Sequence, residues 1–158
     1  MGFSRRDQGF IKLPLLFLAA CLGLVAGLSG FTFYYAQGTS YLRDDPVACK
    51  NCHIMREHYD VWARTSHHAA ATCNDCHTPP DFLGKYMVKA INGWNHSVAF
   101  TTGNFPEPLK IKGFNRAIVQ DACIGCHQEV TTLMGAGFKG ENADCLHCHG
   151  KVGHHRRN

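Results

Sequence analysis

The chain lacks any block of like charge. Its 16 lysines and arginines against 12 aspartates and glutamates leave a formal net charge of +4 with histidine neutral. The basic residues are scattered, with no stripe interleaved with aromatics, which argues against a nucleic-acid partner. Length is also lacking. At 158 residues the chain would make one domain, and a domain that small is short of buried area unless something besides side chains fills its core. Charge is missing altogether from Leu13 to Tyr35, and beyond that run no cysteine stands outside one repeated pattern. A disulfide scaffold is thereby disfavoured.

The uncharged run LPLLFLAACLGLVAGLSGFTFYY holds 23 residues, enough at about 1.5 Å per residue to cross about 30 Å of hydrocarbon. Arg5, Arg6 and Lys12 precede it and Tyr34 and Tyr35 close it, which predicts a cytoplasmic N-terminus and an exported remainder. A cleaved signal peptide and a lipoprotein signal ending at Cys21 are the competing readings. The run is longer than a signal core, and it continues apolar for a dozen residues past Cys21. An uncleaved anchor is therefore favoured. The expected organisation is a cytoplasmic N-terminus over residues 1–12, a transmembrane anchor over 13–35 and a periplasmic domain over 36–158.

All eight cysteines beyond the anchor fall into Cys-x-x-Cys-His: Cys49/Cys52/His53, Cys73/Cys76/His77, Cys123/Cys126/His127 and Cys145/Cys148/His149. Two thiols at this spacing can add to the two vinyl groups on one edge of a haem, and the adjacent histidine then lies under the iron as an axial ligand. Zinc also uses paired cysteines, but it does not explain a histidine after every second one. Four covalently bound c-type haems follow, at about 30 residues per ring, so the rings themselves become most of the hydrophobic core. The expected fold is mainly α with little regular structure, one N-terminal transmembrane helix plus a haem-cored domain. Cys49 to Cys73 is 24 residues and Cys123 to Cys145 is 22, which suggests a di-haem unit used twice.

A haem with two histidine ligands suits electron transfer, whereas an open or weakly held position suits contact with substrate. Outside the motifs stand His58, His67, His68, His96, His147, His154 and His155. His68 and His154 are the preferred distal ligands. Met55, two residues after His53, is either a packing methionine or a thioether ligand replacing its neighbour. The segment DFLGKYMVKAINGWNHSVAF reads as a helix that carries Lys85, Lys89 and His96 along one side. Its lysines either bind a quinol oxygen beside a haem or snorkel from a surface-lying helix.

These residues together resemble the NapC/NirT/NrfH family of membrane-anchored tetrahaem quinol dehydrogenases. The likeness rests on the single anchor, four motifs in two pairs, Cys-x-x-Cys-His-x-Met at the first haem and SHHAAATCNDCH leading into the second. Members of the NrfH type, small subunits of cytochrome c nitrite reductase, are the nearest match. The resemblance implies a first haem at the membrane surface that takes electrons from menaquinol and is ligated by Met55. It also implies His68 and His154 as distal ligands, Lys89 at the quinol site, and a periplasmic multihaem reductase as partner. Where NrfH-type relatives can carry an aspartate over the first iron, this chain has His96. An imidazole there either ligates the iron or accepts a quinol proton. The alternative function is a passive electron carrier or membrane tether with no quinol site. A terminal nitrite reductase is disfavoured, because the chain has neither a lysine-bearing attachment motif nor a long catalytic domain.

Overall fold

The structure is a computed structural model describing residues 5–134 and 144–154. Among the described residues it is built from α-helices and short 3-10 turns, with no strand. The chain divides into two units, Met1–Thr39 and Ser40–Asn158.

The first unit is helix α1, Arg5–Tyr35. Within it Lys12–Tyr35 is a 24-residue stretch of mean hydropathy 2.1 with none of it buried, about 36 Å long at the usual helical rise. That is long and apolar enough to cross a membrane, and the stretch is apolar on all sides, as a helix surrounded by lipid must be. Pro14 lies inside the helix. It removes one backbone donor, a loss membrane helices tolerate.

The second unit holds α2 (Pro46–Cys49), α3 (Arg56–Trp62), α4 (Cys73–His77), α5 (Phe82–Thr102), α6 (Gly113–Cys126), α7 (Gln128–Leu133) and α8 (Cys145–Cys148). Local chemistry starts and stops these helices. The Asp45 side chain accepts from the Val47 backbone N–H to start α2. Thr72 and Asp75 form a reciprocal capping box on α4. Asp81 accepts from the Gly84 N–H at the head of α5, and Gly103 ends that helix at a φ of 67°, a left-handed position suited to glycine. The helix expected from the pattern around Lys85 and His96 is thus present as α5.

Apolar side chains do not make the interior of this unit. Among the described residues only Val88, Thr78 and Lys89 are buried. Polar contacts do much of the joining instead. Asn92 and Asn115 exchange two amide hydrogen bonds of 3.0 Å between α5 and α6. Arg116 on α6 pairs with Asp144 beside α8 at 2.5 Å, and Gln120 accepts from the Cys145 N–H at 3.0 Å. A chain of this size held by its own side chains would need a larger apolar core, so the interior chemistry itself points to a large bound apolar group.

Candidate functional site

The local fold presents each attachment motif as a short turn. Cys73–His77 is the whole of α4, Cys123 and Cys126 close α6 with His127 as its cap, and Cys145–Cys148 is α8 with His149 as its cap. Two cysteines three apart on a helical turn face one side, as attachment to two vinyl groups on one haem edge requires. The first motif is built differently. Cys49 ends α2, Cys52 is extended with φ −77° and ψ 119°, and His53–Met55 forms a 3-10 turn. Its His53 is exposed, whereas Met55 is half-buried.

The motifs meet in chain order. Cys49 and Cys73 are hydrogen-bonded through sulfur, which as free thiols pushes Cys49 down to about 7 and Cys73 up. Burial, then the nearness of Cys123, raises Cys76. Burial, then the nearness of Cys145, raises Cys123. First meets second, second meets third and third meets fourth, as α2 packs on α4, α4 on α6 and α6 on α8. An open cleft of about 630 Å³ lined by Gly125, Cys126, Gln128, Glu129, Thr132 and Leu133 borders the third motif.

Histidines pair across the second and third motifs. His77 and His154 have ring centroids 6.0 Å apart and planes within 5° of parallel. His127 and His67 are 6.2 Å apart at 64°. Two imidazoles bound end-on to one metal at about 2 Å each put their centroids about 6 Å apart, a separation both pairs match, although His58 lies nearer still to His154, at 4.7 Å. Burial, helped by His154 and His58, pushes His77 down to about 4, which keeps it neutral as a metal ligand must be. The His67 Nδ1 is buried with no hydrogen-bond partner. Among the described residues no three of His, Cys, Asp and Glu converge on one point as a tetrahedral zinc site needs. The donor set fits covalent haem.

Of the expected distal ligands, His154 faces His77, although by sequence it lies nearest His149. His68 is exposed and packs edge-on against Trp62 at 4.9 Å, while its neighbour His67 faces His127. The resemblance favours His68 of this adjacent pair, whereas the ring turned toward a motif histidine is that of His67. His155 lies outside the described residues.

Lys89 and His96 lie seven residues apart on α5, two turns along one face. Lys89 is only 7% exposed. Its ammonium donates to Arg43 O at 2.9 Å and to Asp44 Oδ1 at 3.1 Å, and Lys85 donates to the other Asp44 oxygen at 2.5 Å. Lys85, then Lys89, hold the Asp44 carboxyl down to about 2. His96 is exposed at its edge, yet protein atoms crowd its ring and lower its pKa, with Lys112 adding to the effect. Its Nδ1 is hydrogen-bonded to Tyr41 Oη at 2.9 Å. Burial pushes Tyr41 up to about 12, and Cys52 and Cys49 of the first motif lie near enough to contribute. The polar face of α5 is therefore beside the first motif, and Asp44 and Tyr41 are the partners that sequence reading missed.

Known proteins resemble the chain along nearly its whole length. It is 36% identical over 165 residues to the cytochrome c-type protein NrfH of Wolinella succinogenes, covering 94% of this chain and 88% of that one. It is 33% identical to the cytochrome c nitrite reductase subunit NrfH of Nitratidesulfovibrio vulgaris, covering 99% and 92%. Among solved structures it resembles a chain of the cytochrome c nitrite reductase NrfHA complex bound to the HQNO inhibitor, with a TM-score of 0.58, 30% identity, and coverage of 87% and 88%. No protein-family profile matches.

Proposed function

Because the chain belongs to the NapC/NirT/NrfH family of membrane-anchored cytochromes c, we propose that it oxidises menaquinol at the membrane and delivers the electrons to a periplasmic cytochrome c nitrite reductase. It is an electron-transfer protein with covalently bound haem. The finer reading is four haems, on Cys49/Cys52, Cys73/Cys76, Cys123/Cys126 and Cys145/Cys148. The observation that carries the quinol reading is the pairing of Lys89 and His96 on one face of α5 beside the first motif, each already held by a polar partner.

The haems supply the oxidising power, each carrying one electron at a time. The chain's own residues supply the rest. His77 and His154 would hold the second iron and His127 and His67 the third, in keeping with their ring separations. Met55, the half-buried group of the first motif, would hold the first iron in place of exposed His53, and His149 would hold the fourth. Lys89, fixed by Asp44, orients a quinol oxygen. His96, kept neutral by its surroundings, takes a quinol proton on Nε2, and the protons leave on the periplasmic side. Lys12–Tyr35 anchors the chain in the inner membrane with the N-terminus in the cytoplasm, in keeping with the basic residues that precede it.

The test is stopped-flow reduction of the purified, haem-loaded full chain in detergent by menadiol, a soluble menaquinol analogue. Rapid reduction that slows on Lys89→Met and on His96→Asn is expected. Equal rates in wild type and both variants would refute the assignment of these residues, and no reduction of the wild type would leave a passive carrier.

A further inference from the structure

The segment Ser40–Asp44 reaches three parts of the second unit at once. Ser40 Oγ accepts from Asn51 inside the first motif at 2.9 Å. At the other end, Arg43 O and Asp44 Oδ1 accept from Asn74 inside the second motif at 3.2 and 2.7 Å. Between these ends it runs against α5. Asp44 meets Lys85 and Lys89, and Tyr41 meets His96 two turns further along. The directions are opposed: residue 44 meets the earlier part of α5 and residue 41 the later. Such a segment fixes α5 relative to both attachment turns through polar contacts, in a unit with almost no apolar core.

Tyr41 is seated with particular closeness. A Cβ at Gly93 would lie 3.3 Å from Tyr41 Cε1, tighter than ordinary packing, so glycine at 93 lets the phenol ring lie against the helix. Gly93 is one turn before His96, and from that seat the hydroxyl reaches Nδ1 at 2.9 Å.

We propose that Tyr41 is a positioning residue for menaquinol oxidation. Its hydroxyl holds His96 Nδ1 at 2.9 Å and so fixes the ring; in the base-competent tautomer it accepts from the Nδ1–H, and Nε2 presents its lone pair to the quinol. This rests on the quinol reading above and deepens it. A histidine base held through one nitrogen has its other nitrogen defined in direction, and a hydroxyl that can accept from Nδ1–H favours the tautomer with a free Nε2 as the ring takes a proton. When the quinol O–H bond breaks and an Nε2–H bond forms, the Nδ1–H bond to Tyr41 persists and stabilises the imidazolium. The electron that leaves the quinol goes to the covalently bound haem. The phenol keeps its own proton throughout, since an ordinary tyrosine titrates at about 10, so it orients the base without replacing it. The other charged groups at hand are Lys112, which acts on the His96 ring, and Lys89 two turns away on the same helix.

The experiment is a double-mutant cycle of Tyr41→Phe and His96→Asn in the haem-loaded full chain, with menadiol as reductant. Phenylalanine keeps the ring against Gly93 and removes only the hydroxyl. The expected result is a fall in kcat of about three- to tenfold for Tyr41→Phe, the effect of one lost hydrogen bond, with KM little changed. No further fall is expected when the same change is made in the His96→Asn protein. An unchanged kcat, or an equal loss in both backgrounds, would overturn the inference, the second because Tyr41 would then act through packing alone. A wild type that menadiol fails to reduce would refute the quinol reading separately. The positioning inference is then decided by carbethoxylation of His96 with diethyl pyrocarbonate at fixed pH, followed by peptide mass spectrometry. A several-fold slower reaction at Nε2 in Tyr41→Phe supports it, and an equal or faster rate overturns it.

Discussion

The second and third attachment motifs and the first are built to different plans. At the second and third, histidines face each other across 6.0 and 6.2 Å, and the attaching cysteines lie on single helical turns. At the first, the turn is broken at Cys52, the motif histidine points outward, and α5 brings a lysine and a histidine that are bonded to Asp44 and Tyr41. A site closed by two imidazoles suits rapid electron passage with little rearrangement; a site with polar, proton-active neighbours suits a substrate that must lose protons as well as electrons. The contrast is the structural argument for a chain that does chemistry at one end and conduction along the rest.

The sharpest way to break the contrast is to remove a conducting member. Cys73→Ser with Cys76→Ser should cut haem from four to three per chain by intact mass and bring electron delivery to the reductase down to background, while menadiol still reduces the first haem. His96→Asn attacks the other side. It should slow menadiol oxidation about 100-fold, the usual size of a lost general base, with the low-spin spectra of the second and third haems unchanged.

Next in size is a test of adjacent histidines. His67→Ala should turn one low-spin ferric signal high-spin in electron paramagnetic resonance, and His68→Ala, which loses only its contact with Trp62, should not. Asp44→Asn should raise the KM for menadiol about fivefold by loosening Lys89, as loss of a charge-assisted contact does. It also carries a pH signature. The Asp44 carboxyl sits at about 2 in the fold against an ordinary 3.8, so its contribution is fully present above pH 3.8 and is lost as pH falls through about 2. Acid unfolding followed by helical circular dichroism should show that loss in wild type and not in Asp44→Asn. The smallest effect belongs to Arg116→Ala, which removes a solvent-exposed ion pair with Asp144. A fall in Tm of less than about 3 °C is expected.

Much of this was legible beforehand because the chemistry is local. An apolar run of 23 residues and a five-residue attachment motif each carry their meaning in consecutive positions, and the helix bearing Lys89 and His96 announced itself by its pattern. Pairing across distance was not legible. His154 sits five residues after His149 yet faces His77, because α6 packs on α4 and brings the C-terminal motif back across the domain through Arg116–Asp144 and Gln120–Cys145. Which of His67 and His68 lies by His127 depends on how one 3-10 turn, Ser66–Ala69, is rotated. Tyr41 and Asp44 carry no motif at all; only the fold brings residues 41 and 44 against residues 96 and 89.

The central claim, one substrate-facing haem among electron carriers, is tested most directly by electron paramagnetic resonance of the oxidised, detergent-purified full chain with and without HQNO. The account predicts that the inhibitor perturbs a single ferric signal, belonging to the first haem, and leaves the low-spin signals of the two histidine-paired haems untouched. Ferric signals all indifferent to the inhibitor, with the first haem low-spin and lost as such in His96→Asn, would contradict it and make His96 a firm iron ligand in a sealed electron carrier.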